Sequence, residues 1–226
     1  MTHMLDRPIW SALTTRHAAL AQGGALARRY PAPVSMFAAT ADDAPANLAA
    51  LAQLPDAEKG LLLVQTGAIA APPGFGFAMQ AQAVQMLAER DFPDTQDSRV
   101  APLAEADAAE MLALATLTKP GPFSLKAQSF GSFWGVKVDG RLAAMAGQRL
   151  KQPGHTELSG VCTHPDFQGQ GLGRLLSLYV ARRIQEAGDR PYLHAYETNR
   201  TAIALYESIG FRLRTMLTVA LAQPAG

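Results

Sequence analysis

A chain of 226 residues, 48% apolar and 17% charged, carries enough apolar material to bury a core, which excludes an intrinsically disordered protein. A formal net charge of +1 leaves no large field of one sign, which argues against a protein built mainly to bind nucleic acid. The lone cysteine, Cys162, excludes an intramolecular disulfide, and no run reaches the ~20 consecutive apolar residues of a membrane helix.

Met1 to Ala12 lacks the basic flank and apolar core of a signal peptide, so a cytoplasmic location with no membrane partner is expected. Trp10 to Arg29 reads as a helix ended by Tyr30-Pro31, followed by a short strand at Val34 to Ala38. Asp43 to Leu54 reads as a second helix with Pro45 near its start, and Leu61 to Gln65 as a buried strand. Phe77 to Ala88 fits either state: Gln80 and Gln82 alternate with Met79 and Ala81 as in a strand, but the residue types also suit a helix. The polar stretch Asp94 to Ser98 follows Pro93 and marks a division into residues 1–95 and 98–226.

The second part is punctuated more clearly. Val100 to Leu103 is a strand, and Glu105 to Leu117 a helix with Ala108, Met111, Leu112 and Ala115 in one stripe. Ser132 to Val138 and Arg141 to Leu150 are strands joined by Asp139-Gly140, a strong hairpin signal. His155 to Thr163 is a strand, and Gly171 to Ala187 a helix with Leu172, Leu175, Leu176, Tyr179 and Ile184 on one face. Pro191 to Tyr196 is a strand, Asn199 to Ser208 a short helix stopped by Gly210, and Phe211 to Leu221 closing strand material. The order β-α-β-β-β-α-β-α-β gives a mixed α/β fold class.

The stretch that carries chemistry runs from Val161 to Arg174. Pro165 ends the strand before it, and glycines stand at positions 169, 171 and 173 just ahead of a helix. Glycine admits positive φ and close ligand approach, successive N–H groups make an anion-binding concavity, and the helix adds its positive end. A pyrophosphate suits such a site. The spacing is neither that of a Walker loop nor of a dinucleotide fingerprint.

Gln168-x-x-Gly171-x-Gly173 resembles the Q/R-x-x-G-x-G/A motif of the GNAT superfamily of acyl-CoA-dependent N-acyltransferases. Asn199-x-x-Ala202-x-x-Leu205-Tyr206-x-x-x-Gly210-Phe211 is similar to that family's second motif, in the right order, and the wording from Gly160 to Phe167 looks most like the FR47-like branch. The match covers Val100 to about Val219. It implies a GNAT fold: a mixed, mostly antiparallel sheet whose fourth and fifth strands, His155 to Thr163 and Pro191 to Tyr196, splay apart. Residues 1–95 resemble the degenerate GNAT-like half of some two-half members, without a Q-x-x-G-x-G of their own.

The resemblance implies acetyl-CoA as cosubstrate, no metal, and a small-molecule or peptide amine as acceptor. Val161, Cys162 and Thr163 are expected to contact the pantetheine arm through main-chain atoms, and Gln168, Gly169, Gln170, Gly171, Leu172, Gly173 and Arg174 to surround the pyrophosphate. Asn199 is a pantetheine contact, a helix N-cap in competition with Thr198, or both. Tyr206 is expected as the general acid to the leaving thiolate, against a packing role. Glu157 is the candidate base, placed on the face of Ser159 and Val161 by strand alternation. His155, His164 and His194 have no metal-ligand spacing, and His194 reads first as a hydrogen-bonded core histidine. The other functional class on this fold is a non-catalytic acyl-CoA sensor or interaction module.

Overall fold

The computed structural model describes residues 3–225; Met1, Thr2 and Gly226, ends of the two expected divisions, lie outside the described residues. Its largest feature is an eight-stranded sheet in the order β4-β11-β5-β10-β9-β8-β7-β6. The strands are β4 (Leu61–Gln65), β5 (Phe75–Ala88), β6 (Val100–Leu103), β7 (Phe133–Val138), β8 (Arg141–Gln152), β9 (His155–Thr163), β10 (Arg190–Tyr196) and β11 (Phe211–Pro224). Every neighbouring pair is antiparallel except β9 and β10. A second, three-stranded sheet holds β1 (Gln22–Gly23), β2 (Ala27–Arg29) and β3 (Ala38–Thr40).

The helices cover both faces of the large sheet. On one face α4 (Leu172–Glu186) buries Leu172, Leu176, Val180, Ala181 and Ile184 against Ala144, Leu158 and Leu193, and α5 (Arg200–Ile209) adds Tyr206 and Ile209. On the other, α3 (Ala108–Thr118) packs Met111, Leu114 and Ala115 on Phe133, Met145 and Cys162, and α1 (Pro8–Thr14) packs Ile9 and Leu13 on Leu150, Tyr192 and Val219. The remaining helix, α2 (Pro45–Ala52), lies against β2 and β3 with Pro45 in its first turn, where the missing N–H costs nothing. Among the described residues no helix is long and apolar enough to cross a membrane.

The second part follows its sequence pattern closely. Asp139 and Gly140 both take positive φ, 50° and 79°, as a two-residue hairpin turn between β7 and β8 requires. Gly210, at φ 107°, closes α5. The first part departs from it. The helix expected over Trp10 to Arg29 ends at Thr14, where the Thr14 and Thr15 hydroxyls bond back to the carbonyls of Trp10 and Ser11. The rest turns into the β1–β2 hairpin through Gly23, whose φ of 107° and 2.4 Å approach of a would-be Cβ to the Ala27 carbonyl admit only glycine. The strand expected at Val34 to Ala38 begins only at Ala38, because Pro31 opens a turn closed by the Val34 N–H. The ambiguous Phe77–Ala88 stretch is strand β5, held on both edges by β10 and β11.

The sheet does not divide between residues 95 and 98. β4 and β5 come from the first part, and β5 lies between β10 and β11. The connection also repeats itself: β1, β2 and β3, then α2, β4 and β5, follow the same order as β7, β8 and β9, then α4, β10 and β11. In the first set Phe37, just before β3, makes one isolated parallel bridge to Leu62 of β4, and in the second β9 and β10 pair in parallel at three positions. Each set's last strand pairs with the fourth strand of the other: β5 with β10 and β11 with β4.

His17 is buried under this core, its Nδ1 2.8 Å from the Tyr30 hydroxyl. Burial, with Lys151 and Arg16 nearby, lowers its pKa to about 4. The folded ring stays neutral while the unfolded one takes a proton from about pH 6.5 downward, so its contribution is intact above pH 6.5 and is lost as pH falls toward 4. The loss should reach about 3 kcal/mol at most. Urea unfolding between pH 7 and 4 should show this slope in the wild type and a flatter one in His17→Gln.

Candidate active site

β9 and β10 pair only at their beginnings, Arg190↔His155, Pro191↔Thr156 and Tyr192↔Glu157. Beyond that point β10 continues on β5 alone and β9 on β8 alone, which leaves a gap between them. Gly160 helps to shape it. At φ 64° it forms, with Val161, a bulge opposite β8, between the pairs Gly147↔Ser159 and Met145↔Cys162. The extra residue reverses the alternation. Val161 packs with Leu158 on the α4 side, while Cys162 packs on the α3 side. The expectation that Glu157, Ser159 and Val161 share one face is therefore corrected: Val161 faces the opposite way from Glu157. Gly160 was absent from the sequence candidates, although a glycine inside a strand pattern is the ordinary sign of a bulge.

The glycine loop follows directly. Gly169 and Gly171 take φ of 77° and 73°, and a Cβ on either would meet no atom within 4 Å, so the loop's outer side is open. Gln168, Gly169, Gln170, Gly171 and Arg174 are exposed. The first intrahelical bond of α4 runs from the Leu175 N–H to the Gly171 carbonyl, leaving the N–H groups of Leu172, Gly173 and Arg174 for an anion. This open cradle of donors fits a pyrophosphate. Gly173 sits against Thr163, 3.6 Å from a would-be Cβ to its Oγ1, so α4 starts close to the end of β9.

Asn199 caps α5, its side chain accepting the Ala202 N–H at 3.1 Å, so the cap falls to Asn199 rather than Thr198. This fixes the helix that carries Tyr206, a buried residue packed edge-on to Phe211. Burial, and then the neighbouring Cys162, push the phenol well above its ordinary value. Burial also pushes the Cys162 thiol up to about 11, with Thr118 pulling weakly the other way, so it stays a neutral thiol.

Glu157 is fully buried. A bulge of β8 sets Arg149 and Leu150 opposite it. Arg149 donates to both carboxylate oxygens, at 2.8 and 2.6 Å, Leu150 donates its N–H at 3.2 Å, and His194 Nδ1 lies 2.7 Å away. Burial alone would raise this carboxyl; Arg149 and His194 outweigh it and hold it far below the usual carboxylate range. The candidate base is thus a poor proton acceptor, with both oxygens engaged, and the contacts it makes hold Arg149 and His194 in place. His194 is bonded as expected, its Nε2 2.9 Å from Gln85 Nε2, but it also lines a cleft. Gln85 in turn donates to the Leu5 carbonyl and accepts from Arg214, which fixes its amide and makes His194 Nε2 the acceptor. Glu157→Gln should strand Arg149 and lower stability by about 3–5 kcal/mol in urea unfolding, with part recovered when Arg149→Met is added.

Two clefts meet at this cluster. One runs past Arg149, His194, Ala195 and Tyr196; the other runs past Ser159, Gly160 and Phe133. Both include Phe37 and Arg149. Phe37 comes from the first part of the chain, and the Arg149 guanidinium lies 5.1 Å over its ring.

The chain is similar to several known proteins. Residues 135–219 match the FR47-like protein family model. Over 82 residues, 36% of the chain, there is 37% identity to the ribosomal protein bS18-alanine N-acetyltransferase of Salmonella typhimurium, of which the match covers 55%. Over 51 residues, 22% of the chain, there is 45% identity to the mycothiol acetyltransferase of Nocardiopsis dassonvillei, of which the match covers 15%. The chain thus spans about half of one curated relative and a small part of the other. A GNAT-family crystal structure from Novosphingobium aromaticivorans superposes over 100% of both chains with a TM-score of 0.92 and 39% identity. A GCN5-related N-acetyltransferase from Kribbella flavida shares the fold at a TM-score of 0.63 and 18% identity, covering 96% of this chain and 95% of its own. Identity of 39% over both whole chains, with both motifs seated on the loop and helix described above, shows that this chain belongs to the GNAT acetyltransferase family, with residues 135–219 matching the FR47-like model.

Proposed function

We propose that the protein transfers an acetyl group from acetyl-CoA to a primary amine by direct attack. The observation that carries this reading is the gap between β9 and β10 beyond Tyr192↔Glu157, with the open glycine loop at the far end of the same strand. A pantetheine arm fits along Val161, Cys162 and Thr163, and a pyrophosphate on the N–H groups between Gly169 and Arg174, with Gln168 and Gln170 exposed beside them. The two clefts on the α1 and α3 side of the sheet are the acceptor's approach.

In this reading the amine nitrogen bonds to the thioester carbonyl carbon, the carbon–sulfur bond breaks, and the thiolate takes its proton from Tyr206. Burial keeps that phenol protonated, and it can give its proton to the departing thiolate only if the same buried surroundings raise the basicity of the sulfur as well. The amine's proton leaves on the acceptor side, where His194 is the imidazole of the wall and Glu157 its buried anionic partner. An incoming amine must displace Gln85 from His194 Nε2. His194→Gln should reduce kcat by about 10²-fold or more and change the pH profile of kcat/KM; an unchanged rate and profile would remove it from the reaction.

The repeated strand order supports reading residues 1–95 as a second, degenerate GNAT-like half. Its counterpart of the cofactor gap, between β3 and β4, is occupied by side chains: Arg7 pairs with Asp43 at 2.9 Å and bonds to Thr40, and Gln65 donates to Asp43.

A panel of primary amines, from amino acids to peptide N-termini, incubated with acetyl-CoA and read by released thiol tests the proposal. Release above the hydrolytic background is expected with some acceptor. Tight acetyl-CoA binding with no release across the panel would favour the sensor reading instead.

A further inference from the structure

The acceptor clefts have an unusual charge distribution. No aspartate or glutamate side chain is among the residues lining either one; their polar lining is Arg149, His194 and Tyr196 on one side and Ser35, Ser124, Ser159 and Arg149 on the other. The rest is largely apolar, with Phe37, Leu62 and Val219 in the first cleft and Met36, Phe123 and Phe130 in the second. An acceptor with several ammonium groups, or with an ammonium alone, finds no carboxylate to hold it. The permanent charge on the walls is a cation.

That cation is held in a fixed pose. Arg149 spends Nε and Nη2 on Glu157, and the Phe37 ring lies beneath its guanidinium carbon. Glu157 is tied down in turn by the Leu150 N–H and His194. The remaining nitrogen, Nη1, has no partner among the described residues, and the residue borders both clefts. A guanidinium oriented by a buried carboxylate, with one free edge at an apolar cleft, is pre-organised to accept an anionic oxygen. The groups around it include Glu157, His194, Phe37, Tyr192 and Tyr196; among the described residues none hydrogen-bonds that edge.

We propose that the acceptor is an amine that also bears a carboxylate on an apolar body, the chemistry of an apolar amino acid, and that Arg149 Nη1 selects it by binding the carboxylate. This rests on the acyl-transfer reading but can fail separately from it. The donor site, on Gln168 to Arg174, has no part in the choice.

The test compares phenylalanine with phenylalaninamide as acceptors in the thiol-release assay. In parallel, N-acetylphenylalanine and its amide are titrated by calorimetry into protein saturated with CoA. The carboxylates should win by about tenfold to a hundredfold in KM and in Kd, the range of a charge-assisted bond. Arg149→Lys keeps a cation beside Glu157 but loses the forked edge; with its fold checked by circular dichroism, it should bring both ratios close to one. Amides that bind or react as well as the acids in the wild type overturn the proposal, whether or not the variant folds. Equal or undetectable binding of the two products overturns it even if no acceptor is turned over. Thiol release with other amines and no carboxylate preference sinks this inference and leaves the transferase reading standing. Absence of both CoA binding and thiol release sinks the transferase reading itself.

Discussion

Gly171→Glu should abolish CoA binding, weakening the dissociation constant by at least about a hundredfold. A glutamate there brings a carboxylate to the place where a pyrophosphate would meet the free N–H groups of α4, in the field of a helix N-terminus that no longer has to be shared with a ligand. Its backbone must also hold φ 73°, which costs a non-glycine residue about 1–2 kcal/mol. The space around the would-be Cβ is empty, so the fold itself should survive. Gly171→Asn separates the two effects: asparagine tolerates positive φ and carries no charge, and should keep binding within about tenfold. Calorimetric titration of CoA into both variants checks this. Retained micromolar binding in Gly171→Glu would mean that the pyrophosphate lies elsewhere.

Tyr206→Phe should leave CoA affinity unchanged and lower kcat by about 10²–10⁴-fold. The ring packs against Phe211 and sits in the core with Ile209, contacts that phenylalanine preserves. Only the hydroxyl is lost, and with it the proton offered to the departing thiolate. Because burial, followed by Cys162, raises the phenol above its ordinary value of 10.0, no alkaline limb from this group should appear below about pH 10 in the wild-type rate. Stopped-flow measurement of thiol release with a working acceptor reads both quantities. A Tyr206→Phe enzyme with full kcat would reduce the tyrosine to a packing residue.

The donor side of this site is written locally in the sequence. Gly169, Gly171 and Gly173 sit side by side before an amphipathic helix, and Asn199 to Phe211 is a single cap, helix and stop, so spacing alone places them. The acceptor side is assembled from pairings that no local pattern encodes. The bulge at Gly160 reverses the faces of Val161 and Glu157, and the bulge opposite Glu157 turns Arg149 and the Leu150 N–H onto its carboxylate. Strand alternation carried through either point gives the wrong face. Phe37 reaches the cleft from the first part of the chain because β3 and β4 abut the same sheet as β10 and β11, a long-range arrangement.

The first part of the chain was also harder to read for a compositional reason. Alanine sits as easily on either face of a helix as in a strand interior, so Ala18 to Ala27 carries almost no period, and its high helix propensity yields to Gly23-Gly24 and to the turn made by Thr14 and Thr15. Leu61 to Gln65, with its compact apolar run, was legible to the residue. For Phe75–Ala88 the deciding fact is that two strands flank it, β10 on one edge and β11 on the other.

Amide hydrogen exchange with and without acetyl-CoA tests the central claim most directly. Protection gained on binding should be confined to Val161 to Thr163, Gln168 to Arg174 and the start of α5 at Asn199, with the gap between β3 and β4 unchanged. Protection that appears instead around Ala38 to Thr40 and Leu61 to Gln65, or none at saturating acetyl-CoA, would contradict a donor site between β9 and β10.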